Sequence, residues 1–234
     1  MEYTEEIARA YAEEKNHLGF MIRRDLPGIL AKYVRAGARA LDYGCGAGLM
    51  IPLLKDAGFD VEGMDISDSM LHQAVKDHQN TVFTRIHSAA IPRPDASYDL
   101  VMLSYVLVEI ASLSEMEAVI REVKRVLKPS GVAIVIVSSE QKFQGNWLMI
   151  NNDFPQNREL ASGCRVKCSV ADSGVVFEDF FWTDEDYRSV FSLSNLNLLA
   201  CSQPLGTADD GMPWKDELHS PLFSIYILGH CCPD

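Results

Sequence analysis

The chain has 234 residues, 47% of them hydrophobic and 23% charged, which allows one large α/β domain with a well-buried core. A formal net charge of −12 argues against a nucleic-acid substrate, because phosphate binding calls for a basic stripe and none is visible in the sequence. The longest clean apolar run, 132–137, is far too short to span a bilayer, and Met1-Glu-Tyr-Thr-Glu-Glu6 lacks the basic flank and apolar core of a signal peptide. The expectation is a cytoplasmic protein with no membrane partner.

Residues 4–17 read as an acidic amphipathic helix with Ile7, Ala8, Tyr11 and Ala12 on one face. Pro27 starts a second helical segment that reaches about Val34. Strand and helix patterns then alternate as in a doubly wound sheet: strand 38–43, helix 48–57, strand 61–66, and a helix from the N-cap Ser67 to about His78. Strands at 81–86 and 98–105 follow, then an amphipathic helix over 114–127 and a fully apolar strand at 132–138.

Past strand five the pattern loosens. Residues 140–176 are polar with scattered aromatics and no long periodic segment, the usual look of a lid or binding loop. A strand at 177–182, a helix capped by Thr183 and opened by Asp184, Glu185 and Asp186, and a hairpin of 196–205 with 221–229 complete the chain. One domain is expected over 1–234, with 1–35 as a helical lid and 140–182 as a cap insertion. The six cysteines read as reduced thiols; Cys164 and Cys168 form a C-x₃-C pair without a second pair or a histidine at zinc spacing, so no metal site is expected.

The informative stretch is Ala40-Leu-Asp-Tyr-Gly-Cys-Gly-Ala-Gly-Leu49, followed by Gly63-Met-Asp-Ile66. An apolar strand ends in Asp42, three alternating glycines (Gly44, Gly46 and Gly48) open a helix, and a second strand ends in Asp65. Glycines there let the backbone approach a ligand, and the second carboxylate is placed to hold ribose. A dinucleotide fingerprint would want glycine at position 49, where Leu49 stands, so a nicotinamide enzyme is disfavoured.

The Asp-x-Gly-x-Gly-x-Gly run resembles motif I of class I S-adenosylmethionine-dependent methyltransferases, of the small-molecule type. Similarity continues through Ala89-Ala-Ile-Pro, Ser97-Tyr-Asp-Leu-Val101, Ser104-Tyr-Val-Leu-Val-Glu-Ile110 and Leu127-Lys-Pro-Ser-Gly131, covering residues 38–139. The resemblance implies a Rossmann-like seven-stranded sheet of order 3-2-1-4-5-7-6, with strand seven antiparallel. It also implies S-adenosylmethionine as cofactor, with Asp42 toward water or its ammonium group, Asp65 on the ribose hydroxyls, and Ile66 and Met70 flanking adenine. Ser104, in the motif IV region at the end of strand four, is expected among the cofactor contacts. Family members commonly carry an acidic residue where His87 stands; either His87 or the backbone of Ser88 or Ala89 could meet the adenine amino group instead. Tyr11 would touch the methionine end if the first helix closes over the cofactor, and packing of that helix explains it equally well.

Tyr105, just past strand four, lies where a crevice is expected. Asn146, Trp147 and Trp182 are candidate substrate contacts, with an aromatic mini-core of the cap as the competing explanation; Trp214 and Glu217 fall in a loop that would rim the pocket. Methyl transfer to a small molecule or peptide terminus is the leading reading. The same motifs also admit an enzyme that uses the aminocarboxypropyl group of S-adenosylmethionine and releases methylthioadenosine, or a non-catalytic regulator that binds it. Acceptor, general base and oligomeric state stay open.

Overall fold

Five apolar runs become five parallel strands; helical crossovers return the chain to the same end of the sheet between all of them except the third and fourth, which the loop 86–97 joins. The computed structural model describes residues 19–230 together with Arg9. The expected 4–17 helix, apart from Arg9, lies outside the described residues, as do Tyr11, Cys231 and Cys232.

Helix α1 (Phe20–Tyr33) leads into β1 (Arg39–Tyr43), α2 (Ile51–Asp56), β2 (Asp60–Asp65), α3 (Asp68–Asp77), β3 (Val82–Arg85), β4 (Tyr98–Ser104), α4 (Leu113–Val126) and β5 (Leu127–Ser138). Three short strands come next: β6 (Ile150–Asn151), β7 (Arg165–Val170) and β8 (Val176–Phe180). Helix α5 (Asp184–Leu193), β9 (Leu196–Ser202) and β10 (Phe223–His230) close the chain. The main sheet runs β3-β2-β1-β4-β5-β10-β9, with β10 antiparallel to both neighbours, which is the expected order and the expected reversed strand.

Side chains alternate across this sheet. Leu41, Val101, Leu103, Val135 and Tyr226 face α4 and α5, whereas Ala40, Leu100, Met102, Ile134 and Ile225 face α1 and α2. Capping marks the helix starts that the sequence announces. Ser67 accepts the Met70 N–H, and Thr183 with Asp186 forms a reciprocal capping box on α5.

Three elements differ from the sequence reading. Helix α1 starts at Phe20, so Pro27 lies inside it rather than at its beginning. Pro27 and Arg23, four residues earlier, are both exposed, so water can serve the carbonyl that the missing N–H leaves. Helix α2 is shorter than expected because residues 44–50 are spent in turns. The stretch read as non-periodic, 140–176, holds β6 and β7, which pair with β8, close to the strand expected at 177–182, in a three-stranded antiparallel sheet. Val166, Cys168 and Val170 turn inward on β7 between the more exposed Arg165, Lys167 and Ser169, an alternation too short to stand out from its polar surroundings.

Candidate active site

The sheet order reverses between β1 and β4, and the crevice of a doubly wound sheet opens beyond the carboxyl ends of those strands. The chain leaves β1 by bending back over β2: the N–H groups of Gly44 and Cys45 both donate to the Met64 carbonyl, at 2.7 and 3.0 Å. Gly44 has φ +70°, and a Cβ built there would lie 2.4 Å from Val106 Cγ2. Gly48, at φ +83°, has the His78 ring 2.6 Å from where its Cβ would be. Both positions need glycine for conformation and for space. The close neighbour at Gly48 is His78, the residue that caps the C-terminus of α3.

Asp65 ends β2 and ties this loop down. Its Oδ2 accepts the Gly46 N–H at 2.8 Å and its Oδ1 accepts the Ser67 N–H at 2.8 Å. Burial raises the Asp65 carboxyl above its ordinary range, and the N–H groups of Ser67, Gly46 and Ile66 work in the opposite direction. Each oxygen keeps a lone pair for a further donor. Ile66 beside it is 63% exposed, whereas Met70 is buried in α3.

Asp42 is the anomaly. It is 1% exposed, and neither carboxylate oxygen has a hydrogen-bond partner among the described residues. Burial, with the Asp65 charge added, pushes its carboxyl up to about 7. A buried polar group left without a partner is costly and calls for an explanation.

The neighbouring positions fall along the same edge. Ile86 N–H donates to the Asp65 carbonyl at 2.9 Å, which sets exposed His87 and Ser88 and half-buried Ala89 just beyond β3. Ser104 ends β4 in register with Ile136. Tyr105 follows with φ +59°, a left-handed conformation that is costly for an aromatic residue, and its N–H donates to the Ile136 carbonyl at 2.8 Å. The structure thus gathers Asp42, Gly44, Gly46, Gly48, Asp65, Ile66, Ser104 and Tyr105 along one edge.

The aromatic and amide candidates do not form one wall. Trp147 is 3% exposed within the core, and its Nε1–H donates to the Lys142 carbonyl at 2.7 Å. Asn146 is exposed, donating its N–H to Asp216 and accepting from Lys215 through Oδ1 at 3.3 Å. Fully buried Glu217 accepts the N–H groups of Leu148, Met149 and Lys215, fastening the 146–149 segment to the 206–220 loop. Trp214 is buried and donates to Asp210, which also receives Arg24 of α1. Trp182 is buried but reaches a cavity. Its Nε1–H donates to the Ile110 carbonyl at 3.1 Å, and with Ser139, Tyr187, Arg188 and Tyr226 it lines a cavity of about 370 Å³ against α5. The four described cysteines are free thiols, Cys45 and Cys168 buried and Cys201 exposed. Sequence reasoning missed the backbone geometry of Tyr105, which has no sequence signature, and buried Lys142, which reads as one more solvated lysine in a polar stretch.

Residues 41–135 match the family described as "Methyltransferase domain". A malonyl-[acyl-carrier protein] O-methyltransferase of Enterobacter lignolyticus is 28% identical over 67% of this chain and 66% of its own length. A demethylmenaquinone methyltransferase of Bacillus subtilis is 32% identical over 48% of this chain and 50% of its own length. A tRNA N(3)-cytidine methyltransferase of Gallus gallus is 32% identical over 47% of this chain and 32% of its own length. The chain therefore spans between a third and two thirds of the curated relatives it matches. A SAM-dependent methyltransferase structure from Methanosarcina mazei shares the fold with a TM-score of 0.65 at 17% identity, over 88% of this chain and 98% of that one. Residues 41–135 are thus similar to a methyltransferase domain, and the fold around them is the one that solved S-adenosylmethionine-dependent methyltransferases share. No helix among the described residues is long and apolar enough to cross a membrane.

Proposed function

We propose that the chain transfers a methyl group from S-adenosylmethionine to a small molecule or a peptide terminus. The observation that carries this reading is the orphaned Asp42 carboxylate beside Asp65, at the crevice beyond β1 and β4. A buried carboxyl with both oxygens free is the partner that a cationic amino group requires, directly or through one water. Asp65 adds two fixed oxygens that suit a pair of ribose hydroxyls. Exposed Ile66 offers an apolar surface for adenine, and the glycine turns let main-chain groups come close to the methionine portion. We place His87, Ser88 and Ala89 beside the adenine edge, Ser104 and Tyr105 toward the acceptor side, and Met70 behind the site as packing.

The bound cofactor supplies an electrophilic methyl on positively charged sulfur. The work left to the chain is to hold the acceptor in line and exclude water, so much of the acceleration comes from positioning and desolvation. A small or peptide acceptor also fits the net charge of −12, which repels a polyanion.

Incubating the protein with S-adenosylmethionine and pools of acids, amines and phenols, then identifying the nucleoside by mass spectrometry, tests the reading. S-adenosylhomocysteine appearing with one pool is the expected result. Methylthioadenosine from S-adenosylmethionine alone would replace methyl transfer by aminocarboxypropyl chemistry, and neither product would point to a regulator.

A further inference from the structure

Lys142 stands four residues past β5 with 6% of its surface exposed. Its ammonium donates to Ser138 Oγ, on the last residue of β5, at 3.0 Å, and lies 5.6 Å from the centre of the Tyr105 ring just past β4. Cys168 of β7 and Asp179 of β8 face it from the small sheet, and the nearer Asp179 oxygen is 3.7 Å away. That distance makes an ion pair but exceeds the ordinary N–H···O range of about 2.7–3.2 Å. Asp179 itself has only 11% of its side chain exposed.

Removing an ammonium from water costs several kcal/mol. The Ser138 hydroxyl, the Cys168 thiol, the Asp179 carboxylate and the Tyr105 and Phe143 rings share that cost, and no described carboxylate oxygen lies within hydrogen-bond range of the ammonium. The location adds the second half of the case. Adjacent strands are about 4.8 Å apart, so the end of β4 forms one side of the β1–β4 crevice and the end of β5 lies one strand further on. The left-handed backbone of Tyr105 keeps its ring against the ammonium at that edge.

We propose that Lys142 anchors the acceptor, and that the acceptor carries an acidic oxygen, a carboxylate or an ionised enol or phenol, which pairs with this ammonium in place of Asp179. This rests on the methyl-transfer reading above. The acceptor oxygen forms its bond to the methyl carbon as the carbon–sulfur bond breaks with its electron pair left on sulfur, so no proton has to move. Both reactants lose their charge in the step. The neutral ester or ether no longer competes for the ammonium, Asp179 recovers it, and the product is free to leave.

A merely structural ion pair tying β8 to the main sheet predicts something different, and Asp179→Asn separates the two. The full chain, saturated with S-adenosylhomocysteine, is titrated calorimetrically with benzoate against benzamide and with hexanoate against hexanamide. Each acid is expected to bind at least about tenfold more tightly than its amide, the effect of one charged hydrogen bond. Lys142→Met removes that preference and Lys142→Arg restores part of it. Asp179→Asn removes the internal competitor and tightens acid binding several-fold, a sign that a structural role does not produce. S-adenosylmethionine affinity stays unchanged in all three. Equal binding of acid and amide, a preference that survives Lys142→Met, or weaker acid binding in Asp179→Asn would each overturn the assignment. Should Lys142→Met fail to fold, Asp179→Asn carries the test alone. Failure of the wild-type chain to bind S-adenosylmethionine would instead overturn the methyltransferase reading beneath it.

Discussion

Glu62 and Asp42 are buried carboxylates on neighbouring strands, one step apart in the β1–β2 register, and the fold treats them in opposite ways. Glu62 is met by Arg39, by Arg93 and by the Tyr98 hydroxyl, from residues at or before the amino ends of β1 and β4. Those donors hold its carboxyl below the ordinary range despite burial. Asp42, toward the carboxyl ends, has no donor among the described residues, and its carboxyl rises to about 7. One carboxylate is completed by its neighbours in the sheet, and the other meets no described donor, which the proposed function explains by a bound cofactor. In the proposed function, the amino end of this sheet serves stability and the carboxyl end serves binding.

Breaking the binding end at Asp65 should have the largest effect. Asp65→Ala removes the acceptor for Gly46 and Ser67 as well as the proposed ribose contact, and equilibrium dialysis should find no measurable S-adenosylmethionine binding. Unchanged affinity in that variant would sink the proposed placement of the cofactor.

The next pair of variants sharpens the contrast by sign. Glu62→Gln should lower stability by roughly 1–3 kcal/mol in denaturant titration, since it leaves Arg39 and Arg93 without their shared anion while both keep some access to water. Asp42→Asn at pH 8 should leave stability unchanged or higher, because it removes a buried charge that the chain does not pair.

The pH dependence follows from the same carboxyl. Its folded value of about 7 lies above an unfolded value of roughly 3.9. The folded state therefore holds the proton more tightly, and the stability this group contributes is complete below about pH 4 and lost as pH rises through about 7. A cationic ligand favours the ionised form, so S-adenosylmethionine binding should release a proton below pH 7 and strengthen as pH rises from about 5 to 8. Calorimetry in buffers of different ionisation enthalpy reads that proton. The release should be absent in Asp42→Asn.

The smallest change expected is at Asn146. It is exposed and its side chain holds only Lys215, so Asn146→Ala should shift stability by about 0.5 kcal/mol or less and leave cofactor affinity alone. A large loss of turnover in that variant would return Asn146 to the acceptor site.

What could be read in the sequence was local. The glycine turns, the Ser67 and Thr183 caps and the two aspartates depend on neighbours within a few residues, and each stands in the fold where its pattern puts it. The strand order came through the resemblance, since periodicity alone does not say which strands adjoin. Lys142 was illegible because its burial is made by β7 and β8, more than twenty residues downstream. Trp147 and Glu217 looked like pocket residues for a related reason. An aromatic or acid in a polar stretch gives no sign that a distant loop will close over it, and here Glu217 is buried against the N–H groups of Leu148 and Met149, the residues that follow Trp147.

The most direct measurement is a calorimetric titration of S-adenosylmethionine into wild type and Asp42→Asn at pH 8, with a thermal melt of each. The carboxyl end as a cofactor site predicts at least about tenfold weaker binding in a variant that melts no lower than wild type. Equal affinity in the two proteins would mean that Asp42 is an unpaired buried acid with no ligand to serve.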